Sequence, residues 1–141
     1  MPMINDVTTR FPDAPQFELL AGKLANEGRS MSYPESFWAI QAQKHPEVKP
    51  LVVTLAPDVT FERISQLAAQ QPQWKIVGKD PSRRRLEAIA TTKWLRFKDD
   101  VVIEVLPQGN ESVVHMRSKS RLGRDDFGAN ANRITQFLKN F

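Results

Sequence analysis

The middle of the chain carries four stretches of strand-like sequence, and this feature limits the possible folds more than any other. The stretches are residues 74–79, 84–92, 101–106 and 112–120. Each is rich in β-branched or apolar residues, and short breaks separate them. The break Pro-Gln-Gly-Asn, which starts at Pro107, is a strong hairpin signal. Because strands joined by short breaks pair antiparallel, we predict a four-stranded, mainly antiparallel sheet with a possible extra edge strand.

Two amphipathic segments predict helices that cover one face of this sheet. Apolar residues recur at helical spacing in residues 60–70 and again in residues 130–140. The first set is Phe61, Ile64, Leu67 and Ala68, and the second is Ile134, Phe137, Leu138 and Phe141. The expected helix caps are Asp58 or Thr60 for the first helix and Asp125 or Asp126 for the second. Together with the sheet, these helices predict an α+β fold.

The N-terminal part predicts an arm and short helices. Residues 1–15 are polar and proline-rich, with Pro2, Pro12 and Pro15, which is typical of a segment lying on the surface. One helix is predicted over residues 16–26 and another up to about Lys44. Residues 51–55, LVVTL, indicate an edge strand or an extended segment.

The length of the chain sets the predicted domain organisation. A chain of 141 residues is long enough for one domain with a hydrophobic core. We predict a single domain over residues 1–141. Its arm and short helices would occupy residues 1–50, and its α+β core residues 51–141.

Cysteine and histidine usage excludes several kinds of site. The chain has no cysteine, so disulfides, thiolate zinc sites and cysteine nucleophiles are excluded. Its two histidines, His45 and His115, are far apart, and neither belongs to an HxxxH or HExxH pattern. We therefore expect neither a metal nor a cofactor.

The charge distribution bears on the expected binding partners, and the hydropathy of the chain bears on its expected location. The net charge is +4, but acidic residues interrupt the basic segments, so nucleic-acid binding is not expected. No apolar run is long enough to predict a transmembrane segment, and the N-terminus lacks the features of a secretory signal. The sequence as written predicts a cytoplasmic protein. A periplasmic location is the alternative if an upstream leader or anchor has been removed. No pattern predicts the oligomeric state.

Residues 113–133 hold a dense group of polar side chains where a predicted strand leads through a loop into the last helix. Alternation along the strand sends Ser118 and Ser120 to one face and Arg117 and Arg121 to the other. Loop glycines and a helix start offer backbone N–H groups to an anion, and arginines grip carboxylates or phosphates bidentately. We predict a site for a small anionic ligand or an acidic protein segment. The predicted ligand-binding residues are Asp99, Asp100, Arg117, Ser118, Ser120, Arg121, Asp126, Asn130 and Arg133.

The same residues allow other interpretations besides a non-enzymatic binding module. Arg117 and Arg121 could pair with carboxylates on a solvated sheet face, with Asp99, Asp100 and Glu104 as the candidates. An enzyme of unknown reaction would use Asp99 or Asp100 as a base and Arg121 as an electrostatic stabiliser. We expect the binding module, because no nucleophile elbow accompanies these residues.

Two further groups could contact a partner. Phe37 and Trp38 suit core packing, but in a scaffold or assembly protein they would form the contact surface. The run from Arg83 to Arg85 follows a predicted turn. Such runs are typical of solvated faces, and a membrane surface or an acidic partner is the alternative.

A motif in the second half of the chain resembles that of a known family. Its matching residues are Phe97, Asp99, Asp100 and Val101, followed by Arg117, Ser118, Ser120, Arg121, Gly123, Asp126, Gly128, Asn130 and Arg133. With these residues the chain closely resembles the domain of unknown function 1499 family over nearly its whole length. The resemblance implies no activity, and it implies a periplasmic or lumenal location for many bacterial and plastid relatives. In such a family the matching residues could form a ligand site, or aspartates tied to arginines could brace the sheet against the last helix.

Overall fold

Six strands and three α-helices make up the described part of the chain, residues 3–141 of this computed structural model. The strands are β1 (Asp6–Thr8), β2 (Leu51–Val53), β3 (Trp74–Asp80), β4 (Arg85–Thr91), β5 (Lys98–Gln108) and β6 (Glu111–Ser120). The helices are α1 (Phe37–Lys44), α2 (Pro57–Ala69) and α3 (Ala129–Lys139), with a short 3-10 helix at Leu24–Asn26. The prediction of an α+β fold is confirmed.

The sheet is antiparallel throughout and is built around the long hairpin of β5 and β6. Its strand order is β1-β6-β5-β4-β3, and β2 also pairs with β6. The two short strands β1 and β2 lie along the same edge of β6, opposite residues 117–119 and 112–114. The hairpin turns where the sequence predicted it, between Gln108 and Glu111, and Gly109 has a φ of +60° there. That left-handed backbone favours glycine.

The predicted number of four strands is wrong because two short strands complete the sheet. Residues 51–53 do form the extra edge strand that the sequence allowed. The strand β1 lies in the segment that was predicted to be a surface arm, and it is buried along its whole length. Three residues are too few to show an alternation in the sequence, so only pairing with β6 reveals this strand. Met1 and Pro2 of the predicted arm lie outside the described residues.

The predicted helix over residues 16–26 is also wrong, apart from the 3-10 helix at its end. The backbone N–H groups of Glu18, Leu19 and Leu20 donate to the buried carboxylate of Glu87, at 3.0–3.1 Å. Phe17 and Leu20 pack on Val102 of the sheet. Tertiary hydrogen bonds thus replace the helical ones that the spacing of apolar residues predicted.

The helix starts differ from the predicted caps at α2. This helix begins at Pro57 after Ala56, so neither predicted residue caps it. Asp58 pairs with Arg84 at 2.7 Å, and the Thr60 hydroxyl donates to Ser112.

At α3 one of the two predicted aspartates, Asp126, does bind backbone N–H groups at the helix start. Gly128 is the N-cap residue, with a φ of +83°. The carboxylate of Asp126 accepts the backbone N–H groups of Gly128, at 2.8 Å, and of Asn130, at 3.2 Å. These bonds satisfy two of the amide groups that a helix start leaves without partners.

The two faces of the sheet are covered by different parts of the chain. The main hydrophobic core lies on the face that packs against α2 and α3, and it includes Phe61, Ile64, Ile134 and Phe137. A smaller cluster around Phe17 lies on the other face. Within residues 3–141 no helix has the length and apolar character needed to cross a lipid bilayer.

Candidate functional site

The predicted site residues divide between the two faces of the sheet. The face towards α3 receives Asp99, Ser118, Ser120, Asn130 and Arg133, together with the loop residue Asp126. The opposite face receives Asp100, Arg117 and Arg121. The arginines therefore do not converge on one cavity, because the pleat of β5 and β6 separates them.

Arg133 ties α3 to the sheet through one nitrogen of its guanidinium group. Its Nη1 lies 2.7 Å from Asp99 Oδ2 and donates to Ser118 Oγ at 3.1 Å. The same nitrogen donates to Asn130 Oδ1 at 3.0 Å. The polar contacts that Arg133 makes with side chains of the described residues all use Nη1. Asp99 thus orients this guanidinium without engaging its other nitrogens.

Asn130 joins the loop, the helix start and the sheet in one buried network. Its Nδ2 donates to Ser120 Oγ and to Asp126 Oδ2, each at 2.8 Å. Its Oδ1 accepts from Ser118 Oγ at 2.6 Å. Because Asn130 is fully buried, these bonds satisfy groups that would otherwise be costly to bury.

Asp99 is the predicted site residue with the most perturbed environment on this face. Burial raises the pKa of Asp99, and the negative charge of Asp126 adds to that effect, whereas Arg133 and Ser120 oppose it. Asp99, Ser120 and Asp126 line a cavity of about 200 Å³ whose rim includes Phe97. A raised pKa in a cavity is the property expected of a general base.

On the opposite face all three nitrogens of the Arg117 guanidinium group donate hydrogen bonds. Its Nε and Nη2 donate to the two oxygens of Asp6, at 3.0 and 2.7 Å. Nη1 donates to the carbonyl of Pro15 at 2.9 Å, and Nη2 also donates to the carbonyl of Met31 at 2.7 Å. The guanidinium carbon lies 4.6 Å from the centroid of the Phe17 ring. The side chains of Arg117 and Asp6 are each 1% exposed, so this pair holds the N-terminal segment on the sheet. Arg117 also lines a separate cavity of about 190 Å³ beside Phe11 and Trp38.

Arg121 pairs with Asp100, beside two residues that the sequence did not identify. Arg121 Nε donates to Asp100 Oδ1 at 2.9 Å. Asn26 Nδ2 donates to Asp100 Oδ2 at 2.8 Å, and Arg29 Nη2 donates to the backbone oxygen of Ser120 at 2.9 Å. The expected pairing of Arg121 with an aspartate of the neighbouring strand is present, but on a covered face instead of a solvated one.

The other predicted contact groups are occupied within the chain. Arg83 pairs with Glu18 at 2.6 Å and Arg84 with Asp58 at 2.7 Å. Arg85, 7% exposed at its side chain, lies 2.8 Å from Glu18. All three arginines of the run therefore form ion pairs within the chain, the first two at the surface and Arg85 buried.

Phe37 and Trp38 belong to a cluster of packed aromatic rings. Trp38 stacks on Phe11 at a centroid distance of 5.9 Å, and Phe37 meets Tyr33 edge to face at 6.0 Å. Both side chains are half-buried. These contacts are those of internal packing, which the sequence also allowed.

A groove that sequence reasoning missed lies between α3 and the adjoining ends of β3 and β4. It encloses about 330 Å³, and Trp74 stacked on Phe137 at 4.9 Å contributes to its wall. Five neutral amide side chains line it: Gln71, Gln73, Asn132, Gln136 and Asn140. Arg133 and Lys93 also line it, and no aspartate or glutamate of residues 3–141 does. We call this cavity the amide groove.

The amide groove could not be identified from local sequence because its residues come from three separate segments, residues 71–74, 90–93 and 129–140. Of the predicted ligand-binding residues, only Arg133 reaches it. Amides, an arginine and a lysine around a concave surface donate many hydrogen bonds and carry net positive charge. Asp99 compensates part of the Arg133 charge, whereas Lys93 makes no ion pair within the described residues, so the surface is chemically suited to an anion.

Comparisons with solved structures give only remote likenesses. The di-domain ARO/CYC BexL from the BE-7585A biosynthetic pathway is 15% identical, with a TM-score of 0.44 over 64% of this chain and 44% of that chain. A protein of Deinococcus radiodurans is 10% identical, with a TM-score of 0.40 over 65% of this chain and 87% of that chain. The Zhui aromatase/cyclase from a Streptomyces species is 11% identical, with a TM-score of 0.36 over 64% of this chain and 79% of that chain. This chain therefore spans less than half the length of the first of them.

The sequence comparisons give a family and no characterised relative. No protein with a curated description matches the chain. A family model matches residues 6–141, which is nearly the whole chain and agrees with the resemblance drawn from the motif. The chain therefore belongs to the family described as "Protein of unknown function (DUF1499)".

Proposed function

We propose that this chain is a non-enzymatic binding module that accepts a small anionic ligand in the amide groove. One observation carries the proposal: two cationic side chains and five neutral amides line a cavity that no carboxylate of the described residues enters. The volume of about 330 Å³ lies at the lower end of the range for small-molecule sites. The ligand is therefore a compact carboxylate- or phosphate-bearing molecule. The alternative is a protein segment that inserts one acidic side chain into the groove.

Arg133 is the residue that orients the ligand in this proposal. Its Nη1 is fixed by Asp99, Ser118 and Asn130, so the planar guanidinium is held in one direction before any ligand arrives. A guanidinium fixed in this way loses little conformational entropy when it donates to an anion. Lys93 supplies a second positive charge, and the amide side chains add neutral donors.

The remaining predicted residues do not contact the ligand in this proposal, but hold Arg133 in place or stabilise the fold. Asp99, Ser118 and Asn130 hold Arg133, and Ser120 and Asp126 hold Asn130. Arg117, Arg121 and Asp100 lie on the other face and stabilise the fold. The proposal thus keeps the predicted ligand class and moves the contact surface from the loop to the groove.

The test is a thermal-shift screen with phosphate, pyrophosphate and citrate, followed by calorimetric titration. Changing Arg133 itself would leave Asp99 buried without its partner, so the informative variant is Asn132→Asp. Asn132 is exposed and lines the groove, and an aspartate there repels an anion without removing any contact of the core. A like charge at about 4 Å near a protein surface costs on the order of 1 to 4 kcal/mol, which weakens binding by about fivefold or more.

The matched control is Gln43→Glu, which makes the same charge change at an exposed position of α1. We expect an anion at about a hundred times its dissociation constant to stabilise the wild type and the control by about 2.7 kcal/mol. At the same anion concentration, a roughly tenfold weaker affinity in Asn132→Asp should reduce that stabilisation to about 1.4 kcal/mol. No stabilisation of the wild type by any of the three anions, or equal stabilisation of all three proteins, would contradict the proposal.

A second candidate function is an enzyme that uses Asp99 as its base, and the raised pKa of Asp99 in the neighbouring cavity favours it. Arg133 would then replace Arg121 as the electrostatic partner, since Arg121 lies on the opposite face. A screen of generic ester, amide and phosphoester substrates tests this candidate, with Asp99→Asn as the inactive control. Turnover that disappears in Asp99→Asn and survives in Asn132→Asp would favour the enzyme over the binding module.

A further inference from the structure

We propose that two neighbouring loops form a docking surface for an anionic lipid membrane. The loops join β4 to β5 and β6 to α3. Their exposed apolar side chains are Trp94, Leu95, Phe97, Leu122 and Phe127, which together we call the loop surface. This inference is independent of the ligand proposed for the amide groove.

The large apolar side chains of the loop surface are mostly exposed to solvent. Phe127 is 92% exposed, Trp94 is 85% exposed and Leu95 is 71% exposed. Single exposed apolar residues are ordinary, but a contiguous group of large ones marks an interaction site.

The two loops lie side by side, so Phe97, Leu122 and Phe127 form one surface, which Trp94 and Leu95 extend along the first loop. The backbone N–H of Arg121 donates to the carbonyl of Lys98 at 3.2 Å, which joins the two loops at their bases. Phe97, Leu122 and Phe127 line the same cavity of about 200 Å³. The first loop is tight, because Phe97 N donates to Thr92 Oγ1 at 2.7 Å and Thr92 N donates to the Phe97 carbonyl at 2.8 Å.

The charges around these apolar residues are complementary to an anionic lipid surface. Four exposed cations lie among them: Lys93, Arg96 and Arg124 in the loops, and Lys98 at the first residue of β5. None of the four makes an ion pair within the described residues, whereas Arg83, Arg84 and Arg85 all do. The second loop also carries Asp125 and Asp126, which are half-buried and accept backbone N–H groups of their own loop, Asp125 from Phe127 at 3.3 Å and Asp126 from Gly128 at 2.8 Å.

A membrane fits this combination better than a rigid protein groove. Tryptophan prefers the headgroup level of a bilayer, and its apolar neighbours enter the acyl boundary while lysine and arginine meet the anionic headgroups. The Nζ of Lys93 lies 5.3 Å from the centroid of the Trp94 ring, so an aromatic group and a cation already share one tip. Each cation near an anionic surface strengthens binding by about fivefold.

The experiment is co-sedimentation of the full chain with vesicles of phosphatidylcholine alone and of phosphatidylcholine mixed with phosphatidylserine. We expect binding to the anionic vesicles, weakened at about 0.5 M salt because the Debye length shrinks to a few Å. Arg96→Ser with Arg124→Ser should weaken binding by about 25-fold. Trp94→Ser with Phe127→Ser should weaken it by at least about tenfold. None of these four residues lines the amide groove, so the variants leave the proposed ligand site intact.

The matched controls change exposed residues elsewhere, namely Arg63→Ser and Leu24→Ser, and should bind as the wild type does. Trp94 emission should shift to shorter wavelength on binding, and Trp94→Phe should remove that shift. The proposal fails if the wild type does not bind anionic vesicles at low salt, or if both loop variants bind as tightly as the controls. It also fails if the loop variants abolish only self-association in sedimentation equilibrium, since the surface would then join two copies of this chain.

Discussion

Replacing Arg117 by methionine should be among the most destabilising single changes in this protein. The substitution removes both hydrogen bonds to Asp6 and the hydrogen bonds to the carbonyls of Pro15 and Met31. Methionine is also long and unbranched, so it retains much of the apolar packing of the arginine stem. Breaking a buried ion pair from one side costs about 3 to 5 kcal/mol, because the other charge stays buried without a partner. That loss is a large share of the 5–15 kcal/mol expected for a domain of this kind.

The pH dependence of this loss separates the buried charge from the lost packing. Burial raises the pKa of Asp6 above its usual 3.8, and the hydrogen bonds and charge of Arg117 lower it. Without Arg117 the pKa of Asp6 rises further, so the folded variant keeps a proton that the unfolded chain has released. The variant's stability therefore falls as the pH rises from about 4 towards neutrality. The deficit relative to the wild type should accordingly be smaller in acid and larger at pH 7.

Urea unfolding followed by circular dichroism measures these free energies, with equal slopes required for the comparison. Arg63→Met is the matched control, because Arg63 is exposed on α2, and it should change the free energy of unfolding by less than about 0.5 kcal/mol. The double variant with Asp6→Leu and Arg117→Met should recover part of the loss, since it removes the isolated charge. A loss below about 1 kcal/mol for Arg117→Met, or one that does not change with pH, would refute the reasoning.

Two other buried polar groups give predictions of their own. Burial, helped by the charge of Arg10, lowers the pKa of His115 to about 4. Between pH 6.5 and this value the unfolded chain binds a proton that the folded chain does not, so stability should fall as the pH falls, and His115→Asn should flatten that slope in urea unfolding. Glu87→Gln should cost about 2 to 3 kcal/mol, because an amide cannot accept all three N–H groups of Glu18, Leu19 and Leu20. Hydrogen exchange should accelerate at those three amides before it does in β5, and a uniform change across both would contradict the assignment.

Local patterns predicted the parts of the fold that local physics decides. The alternation in β6 placed Ser118 and Ser120 on one face and Arg117 and Arg121 on the other, as the structure has them. The hairpin after β5 and the apolar stripe of α3 also follow from spacing within a few residues. Arg133 contacts Ser118 and not Arg117 because α3 packs on the face of the sheet that carries Ser118 and Ser120.

Partners distant in the sequence account for what could not be predicted. Arg117 pairs with Asp6 across 111 positions, and three residues of a predicted helix bind Glu87 across as many as 69 positions. No periodicity within either segment encodes these contacts. The amide groove is likewise assembled from three segments, so its neutral amides look like ordinary surface residues until the chain is folded.

The most direct test of the binding module is amide NMR of the groove during titration with pyrophosphate and with citrate. The side chains of Gln71, Gln73, Asn132, Gln136 and Asn140 all carry observable NH₂ groups in this cavity. We predict that these resonances shift together and saturate, while those of the exposed Gln43 and Asn110 outside it stay in place. Shifts confined to the loop at Arg124, or none in the groove with either anion, would contradict the account.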